Sequence, residues 1–334
     1  MKCPECPHNQ RRGQEGMKCK RCGYAFVFDP KKTGDHFGGK PLTDGKFLAI
    51  IAKATESNAR PVTENQLYTH AGVQVTRWST GGVIATIFSI AIGSIVIGTF
   101  INFFAQFIRE DSSWMIWPYL AVGVGLLLII KCVGTPKRER WDKLLSTWER
   151  SKSPISMLLR EPGLHQPPPE WPEEDIYDYG FERILIVERD VLVDWLIGNG
   201  VHQAHNALVI AESGYPDYLL EHAARILAER PDLPVYLLHD ATSEGVEMKQ
   251  RILKSPSGDF LKDHPIIDLG LDPESIDRLG LPRFLKKTSK DLPVDALRVD
   301  RLGNILTVAF ASQLSLAEAA EQAHGSGEVI VDFG

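Results

Sequence analysis

The chain has few cysteines, no hydrophobic run at its start and no glycine-rich phosphate-binding loop. Only five cysteines occur in 334 residues, and four of them form two close pairs near the N-terminus. This pattern excludes a disulfide framework and fits a metal site in a reducing compartment. The opening MKCPEC contains no apolar run, so we expect no signal peptide. The lack of a glycine-rich phosphate loop counts against nucleotide binding.

Charge is unevenly distributed along the chain. The net charge is −6, but residues 170–334 carry 30 acidic against 15 basic residues, whereas residues 1–80 carry 13 basic against 7 acidic. An acidic region repels a phosphate backbone unless cations intervene. This distribution counts against direct nucleic-acid binding by the C-terminal half.

Two long apolar segments occupy the middle of the chain. Residues 83–107 contain no charged residue, and residues 114–134 contain one, Lys131. About 20 apolar residues span a bilayer as a helix. The alternative is a pair of buried core helices, which fits such long apolar runs less well. The connector is short and basic residues flank both outer ends. We therefore expect a transmembrane hairpin in the inner membrane with both termini cytoplasmic, and the lipid bilayer as a partner.

Small residues recur every four positions in the first apolar segment, at Gly81, Ala85, Ser89 and Gly93. Small residues at this spacing let helices approach closely, either within the hairpin or between protomers of a homo-oligomer. Chance is the alternative, because small residues are common in membrane helices.

An amphipathic helix and a proline-rich linker are predicted in residues 137–176. In KRERWDKLLSTWERSK, four apolar residues share one helical face: Trp141, Leu144, Leu145 and Trp148. Basic residues beside these tryptophans predict a helix that lies on the inner leaflet. The following proline-rich stretch predicts an extended linker.

The two cysteine pairs predict a zinc site. Cys3 and Cys6 form one C-x-x-C pair, and Cys19 and Cys22 form the second. Two such pairs supply the four thiolates of a closed, structural zinc site. Residues 1–28 resemble the zinc-ribbon family. Basic residues in the ribbon permit binding of nucleic acid or anionic lipid, although they could equally be a solvated surface: Arg11, Arg12, Lys18, Lys20 and Arg21.

A small juxtamembrane helical module is predicted over residues 29–80. Two short helices are expected between Leu42 and Ala71, with Thr43 or Asp44 and then Thr63 as their N-caps. We find no catalytic constellation in this module.

Strands alternate with helices in residues 177–334. Apolar strands are predicted at 184–187, 207–211 and 235–238, each followed by a turn and a helix. This alternation predicts an α/β domain with a mainly parallel sheet. Glu188 and Asp240 follow the first and third strands, so both should lie at the carboxyl edge, where they could hold Mg²⁺.

After residue 290, two short strands are predicted, with a turn at Leu302-Gly303-Asn304. A helix ending at Gly325 and a terminal strand should complete the domain.

Four stretches of this domain resemble the Toprim domain of the topoisomerase VI A subunit and its relative, the meiotic double-strand-break protein. They are IVERD, ESGYPD, DATSEG and LGLDPESIDRLGLP, within residues 181–285. The resemblance implies that Glu188 and Asp240 are catalytic Mg²⁺ ligands. The chain departs from the family pattern at Thr242, where a second Asp is expected, at Ser243 in place of a proline, and at Ser213 in place of a lysine.

The family's strand-cleaving tyrosine precedes its Toprim domain, and no candidate module is found here. Glu212, Glu244 or Glu247 could compensate for the missing Asp, although each is more often a solvated acid. We therefore expect a multidomain, membrane-anchored binding or regulatory protein with structural Zn²⁺ and a protein partner, rather than an enzyme. The alternative is a Mg²⁺-dependent nuclease or topoisomerase-related activity on DNA at the membrane, in a defence role.

Overall fold

The computed structural model describes residues 2–10, 16–76, 135–166, 181–286 and 291–325. The chain divides into two compact units. The N-terminal unit comprises Met1–Ala49 and Ala71–Ser153, and the C-terminal unit comprises Ile50–His70 and Pro154–Gly334.

The first elements in the chain are short. Strands β1 (His36–Phe37) and β2 (Lys40–Pro41) pair antiparallel. Helix α1 spans Asp44–Ala54, and residues 64–76 form helix α2. Thr43 Oγ1 accepts from Lys46 N at 3.4 Å, and Thr63 Oγ1 accepts from Gln66 N at 3.2 Å. The two helices predicted in this region are therefore present, and threonine hydroxyls cap both.

Helix α3 (Arg138–Ser151) buries the four predicted apolar residues, Trp141, Leu144, Leu145 and Trp148. The ring centroid of Trp148 lies 4.8 Å from that of Phe47 and 5.9 Å from that of Phe28. The ring centroid of Trp141 lies 5.1 Å from that of Phe37. The amphipathic helix is thus present, but its predicted place on a lipid leaflet is wrong. Its apolar face forms the aromatic core of the N-terminal unit.

The C-terminal unit contains a four-stranded parallel sheet. Its strands are β5 (Arg183–Val187), β6 (Ala207–Ala211), β7 (Val235–Leu238) and β8 (Ile266–Asp268), in the order β6-β5-β7-β8. Val187 is in register with Ala211 on one side and with Leu238 on the other. Strands β5 and β7 therefore end side by side. The three predicted strands are confirmed, and β8 is an addition of only three residues.

Helices cover this sheet and connect its strands. The α-helices of the C-terminal unit after β5 are α4 (Asp190–Gly198), α5 (Val201–Ala204), α6 (Asp217–Glu229), α7 (Ser243–Val246), α8 (Met248–Lys254), α9 (Arg283–Lys286), α10 (Val299–Ser312) and α11 (Leu316–Gly325). In the described part of this unit, 3-10 turns include Pro256–Leu261, Ile276–Leu279 and Val294–Ala296. Strands β3 (Val62–Thr63) and β4 (Leu158–Leu159) form a separate parallel pair.

The predicted hairpin after residue 290 is wrong, because α10 occupies its place. The buried residues of α10 are Val299, Leu302, Ile305, Leu306, Ala309 and Phe310, which recur at helical spacing. Gly303 lies inside this helix and not in a turn. Helix α11 ends at Gly325 as predicted. The predicted terminal strand lies outside the described residues.

The transmembrane prediction also requires correction. No helix among residues 2–10, 16–76, 135–166, 181–286 and 291–325 is long and apolar enough to cross a membrane. Helices such as α3 have a single apolar face, which is buried inside the protein. This finding overturns the fold class with a transmembrane hairpin and the multi-pass inner-membrane localisation. The predicted segments 83–107 and 114–134 lie outside the described residues.

Candidate functional site

The four N-terminal cysteines converge on one point. Their Sγ atoms all lie within 4.8 Å of one another, with Cys3 to Cys22 at 3.5 Å and Cys6 to Cys19 at 3.7 Å. A tetrahedral zinc ion with Zn–S bonds of about 2.3 Å places its sulfurs about 3.8 Å apart. The cluster therefore fits a zinc ion held by four thiolates.

Backbone hydrogen bonds shape each cysteine pair. Cys3 N donates to His8 O at 3.0 Å, and Cys19 N donates to Tyr24 O at 2.8 Å. Gly23 has a φ of +79°, which suits glycine at the tight turn after the second pair. The backbone N–H of Cys22 lowers the pKa of the Cys19 thiol to about 6. The backbone N–H of Tyr24 lowers the pKa of Cys22, but burial and the other three thiols raise it overall, so Cys19 is the thiol of this pair that ionises first.

Asp44 connects the ribbon to helix α1. Its carboxylate accepts hydrogen bonds from the Tyr24 hydroxyl, from Val27 N and from Phe28 N, each at 2.9 Å. Asp44 was considered only as a helix cap from the sequence, and its bonds to the ribbon were missed. It is buried, and these three donors satisfy its charge.

Glu188 and Asp240 meet at the carboxyl edge of the sheet. Glu188 directly follows β5, and Asp240 lies two residues beyond the end of β7. The Asp240 backbone N–H donates to Glu188 Oε2 at 2.8 Å. The structure therefore brings together the two acidic residues that the strand pattern placed at this edge.

Both carboxylate oxygens of Asp240 already have partners. Oδ1 accepts from Val294 N at 2.8 Å, and Oδ2 lies 2.9 Å from Arg189 Nε in an ion pair. Burial raises the pKa of Asp240, and the Arg189 guanidinium opposes that rise. The Asp240 carboxylate is thus held by the protein itself.

Asp295 is a third acidic residue at this site that sequence reasoning missed. It is fully buried in the Val294–Ala296 turn, where Arg189 Nη2 donates to its Oδ1 at 2.6 Å and Asn65 Nδ2 donates at 3.0 Å. Burial lowers the pKa of Arg189, but Asp295 and Asp240 together raise it by more than burial lowers it. The net pKa is therefore above that of a free arginine, and the guanidinium stays charged. We call Glu188, Arg189, Asp240 and Asp295 the edge cluster.

Thr242, at the position of the family's second Asp, has a local structural role. Its Oγ1 accepts from Gly245 N at 2.8 Å and caps helix α7. Ser213, at the position of the family's lysine, donates to Asp190 Oδ1 at 2.6 Å. Both replacements therefore make short hydrogen bonds within their own surroundings.

The three acids that could have compensated for the missing Asp do not complete the site. Glu212 forms a two-point ion pair with Arg251, at 2.8 Å and 2.6 Å. Glu244 and Glu247 are exposed on the next turn. Among the described residues, the cysteines form a group close enough to hold a metal ion, and these carboxylates do not. With Arg189 bound to Asp240, the edge cluster does not fit a Mg²⁺ ion.

His239 is buried directly beneath the edge cluster. Its Nε2 lies 3.1 Å from Asp268 Oδ1, and its Nδ1 lies 2.8 Å from the Asp240 carbonyl oxygen. Burial lowers the pKa of His239, but the bond to Asp268, the Asp240 carbonyl and the charges of Asp268 and Glu188 together raise it overall. A side chain at Gly270 would lie 2.1 Å from the imidazole ring, so this close packing requires glycine. His239, held by Asp268, thus keeps the backbone of Asp240 in place.

Tyr215 of the ESGYPD turn is also structural. Its hydroxyl donates to Asp194 Oδ1 at 2.6 Å and accepts from Leu164 N. Gly163 N donates to the other Asp194 oxygen at 2.6 Å. The turn therefore anchors the segment that follows β4.

Comparison with known proteins supports the Toprim interpretation. Residues 183–298 match the family described as the Toprim domain of the topoisomerase 6 A subunit and Spo11. The chain is 35% identical over 71 residues to the A subunit of the type 2 DNA topoisomerase 6 of Hyperthermus butylicus, and 34% identical over 71 residues to that of Sulfurisphaera tokodaii. Each match covers 21% of this chain but only 18% of the relative. No solved structure matches the chain. The C-terminal unit thus contains a Toprim domain, as the resemblance predicted.

Proposed function

We propose that this protein binds DNA without cutting it and that its Toprim domain has a regulatory, partner-binding role. The family match and the two relatives, which are named DNA topoisomerases, support a DNA-related function. The relatives are matched over a small part of their length, so their activity does not transfer with the match. The predicted protein partner and homo-oligomer stay predictions.

The state of Asp240 is the observation that carries this proposal. Its carboxylate is bound by Arg189 and by Val294 N, and the neighbouring family position is a capping threonine. Mg²⁺-dependent phosphoryl chemistry needs charged oxygen ligands that are free to bind the ion. A sheet edge whose Asp240 carboxylate is already bound by the protein supports a binding role more than a catalytic one.

The basic ribbon is the proposed DNA contact. Lys18, Lys20 and Arg21 are exposed around the second cysteine pair. Cationic side chains that neutralise phosphates release counterions, which makes DNA binding sensitive to salt. The acidic C-terminal half disfavours such contacts, so the ribbon carries them in this proposal.

Two measurements on the full chain test the proposal. Fluorescence anisotropy with a labelled duplex should show binding that weakens with salt, and incubation of supercoiled plasmid with Mg²⁺ or Mn²⁺ should leave it uncut. The double variant Lys18→Gln/Lys20→Gln should reduce the slope of log affinity against log salt by about 2, because two phosphate contacts are lost.

The matched control is Lys249→Gln/Lys254→Gln, which removes two exposed charges from helix α8. It should leave the salt slope unchanged. Equal losses in both double variants would show that the ribbon does not make the DNA contact. No binding by the wild type at low salt would refute DNA binding altogether.

A Mg²⁺-dependent nuclease is the second candidate. It requires Arg189 to release the Asp240 carboxylate, and the observation in its favour is the close approach of Glu188 and Asp240 at the ends of adjacent strands. Plasmid nicking that is abolished by Glu188→Gln would establish this candidate and rule out the first.

A further inference from the structure

The Arg189 guanidinium lies beside the Asp240 carboxylate, where a metal-dependent site would hold its metal cation. Its Nη2 atom donates hydrogen bonds to Asp295 Oδ1 at 2.6 Å and to Asp240 Oδ1 at 3.3 Å, while its Nε lies 2.9 Å from Asp240 Oδ2 as an ion pair without a hydrogen bond. One planar guanidinium thus joins two carboxylates that come from separate turns of the C-terminal unit. Arginine suits this role because its fork of donors matches carboxylate geometry and it stays charged.

Asp295 depends on this contact more than Asp240 does. It has no solvent exposure, and its charge is balanced by Arg189 with help from the Asn65 amide. An ionised carboxylate without a cationic partner is unfavourable in such a buried place. Asp240, by contrast, retains 7% exposure, and the Val294 N–H is its neutral donor.

We propose that the Arg189 guanidinium is the resident cation of the edge cluster, anchored by Asp295, and that it excludes Mg²⁺ from Asp240. Arg189 and Asp295 are positioning residues in this account, because they act through the Asp240 carboxylate. Two consequences follow. The edge keeps its shape without a divalent ion, and a divalent ion gains access to Asp240 when Arg189 is removed.

Arg251 provides a comparison within the same unit. It pairs with Glu212 at 2.6 Å, away from the Asp240–Arg189–Asp295 bridge. Its removal takes away one positive charge near Glu188 and frees the Glu212 carboxylate, but leaves that bridge intact. A general increase in negative charge can therefore be separated from the specific loss of the resident cation.

This inference rests on the proposed non-catalytic function of the Toprim domain. Its test measures Mg²⁺ binding and thermal unfolding, and it does not use DNA binding as a readout. The full chain is titrated with Mg²⁺ by calorimetry, and thermal unfolding is followed with and without Mg²⁺. The wild type should show no Mg²⁺-dependent rise in Tm. Arg189→Gln should unfold at a lower temperature without Mg²⁺ and recover part of the loss when Mg²⁺ is added, because a ligand that binds the folded state stabilises it.

We expect Arg189→Gln to bind Mg²⁺ at least about tenfold more tightly than the wild type, since the repelling cation is gone. Arg189→Lys keeps the charge and should show no Mg²⁺ response. Arg251→Gln should behave as the wild type. These contrasts separate a resident cation from a merely structural arginine, whose loss would lower Tm without making it depend on Mg²⁺.

A second variant covers a failure of Arg189→Gln to fold. Arg189→Gln/Asp295→Asn removes one charge of each sign, leaves Asp240 free, and should also acquire a Mg²⁺ response. The inference is overturned if the wild type binds Mg²⁺ as tightly as these variants. It is also overturned if Arg251→Gln gains the same response and keeps it when Glu212 is replaced by Gln in the same protein. Either result leaves the DNA-binding and nicking assays as independent tests of the proposed function.

Discussion

Thr242 shows how one side chain can change what a site is able to do. An Asp at this position would bring a charge toward Asp240, whereas the threonine hydroxyl accepts the Gly245 N–H and starts helix α7. The hydroxyl satisfies a backbone donor that would otherwise have no partner within the helix. At the residue scale, this position contributes local stability instead of charge.

Removal of the capping hydroxyl should therefore destabilise the protein. We expect Thr242→Ala to lower the free energy of unfolding by about 1 kcal/mol, and Thr242→Ser or Thr242→Asp to retain most of it, because both keep an acceptor. Urea denaturation of the full chain measures this difference. Ser243→Ala, at the neighbouring exposed position, is the control and should change stability by less than about 0.5 kcal/mol.

His70 should make the protein sensitive to acid. Burial, together with the positive charges of Arg298 and Lys53, lowers the pKa of His70 to about 4, with Asp300 opposing. His70 takes up its proton near pH 6.5 in the unfolded chain but only near pH 4 in the folded protein. The stability that neutral His70 contributes is therefore fully present above pH 6.5 and is lost as the pH falls toward 4. Between pH 7 and pH 5 this loss is about 2 kcal/mol.

The measurement is urea denaturation at both pH values for the wild type and for His70→Gln, which does not titrate. The difference in unfolding free energy between pH 7 and pH 5 should be about 2 kcal/mol smaller in the variant. An unchanged pH dependence would show that His70 does not control it.

Helix α3 carries the main prediction at the scale of elements. Leu144 and Leu145 are each 2% exposed, and the two tryptophans beside them contact the phenylalanine rings of the N-terminal unit. Leu144→Ala should cost about 3 kcal/mol of unfolding free energy, because it removes buried methyl groups and leaves a cavity.

Lys143→Ala, on the exposed face of the same helix, serves as the control and should change stability by less than about 0.5 kcal/mol. Chemical denaturation of both variants measures the difference. If α3 instead used this face on a lipid surface, Leu144→Ala would leave the stability of the protein in solution nearly unchanged.

Strands β5, β6 and β7 of the sheet were predictable from the sequence, whereas helix α10 of the same unit was not predicted. Strands β6 and β7 have the predicted bounds because short apolar runs flanked by turns are typical of buried parallel strands. Helix α10 was misread because Gly303-Asn304 is a strong turn signal. The helical spacing of Val299, Leu302, Ile305 and Leu306 was visible, and tertiary burial favoured it.

The same division applies to the edge cluster. Glu188 and Asp240 were predictable because each follows a strand whose position is determined by hydrophobic pattern. Asp295 was not, because its contacts with Arg189 and Asn65 span 106 and 230 residues and leave no local pattern. The ion pair that decides whether Asp240 is available therefore becomes visible only in the folded chain.

At the scale of the whole molecule, the chain combines a basic N-terminal segment that contains the four-cysteine cluster with an acidic C-terminal half that contains the Toprim domain. The family match covers residues 183–298 and leaves the cysteine cluster outside it. The ribbon has a very small apolar core, formed by Cys3, Cys19, Tyr24 and Phe26, with Cys6 and Met17 packed against it. A core of this size contributes little, so a metal ion held by the four cysteines would supply much of the folding free energy of this segment.

We therefore expect the full chain to contain one zinc ion per molecule, measured by elemental analysis, and to lose it in Cys6→Ser and Cys19→Ser. Loss of zinc should let trypsin cleave rapidly after Lys18, Lys20 and Arg21, whose side chains are already exposed, because the backbone around them no longer folds around the metal. The fifth cysteine provides the matched control, since it lies more than 100 residues from either pair in the sequence. Cys132→Ser should keep both the zinc and the protease resistance. Zinc content that is unchanged in Cys6→Ser, or trypsin resistance that survives chelation, would contradict a metal-dependent ribbon.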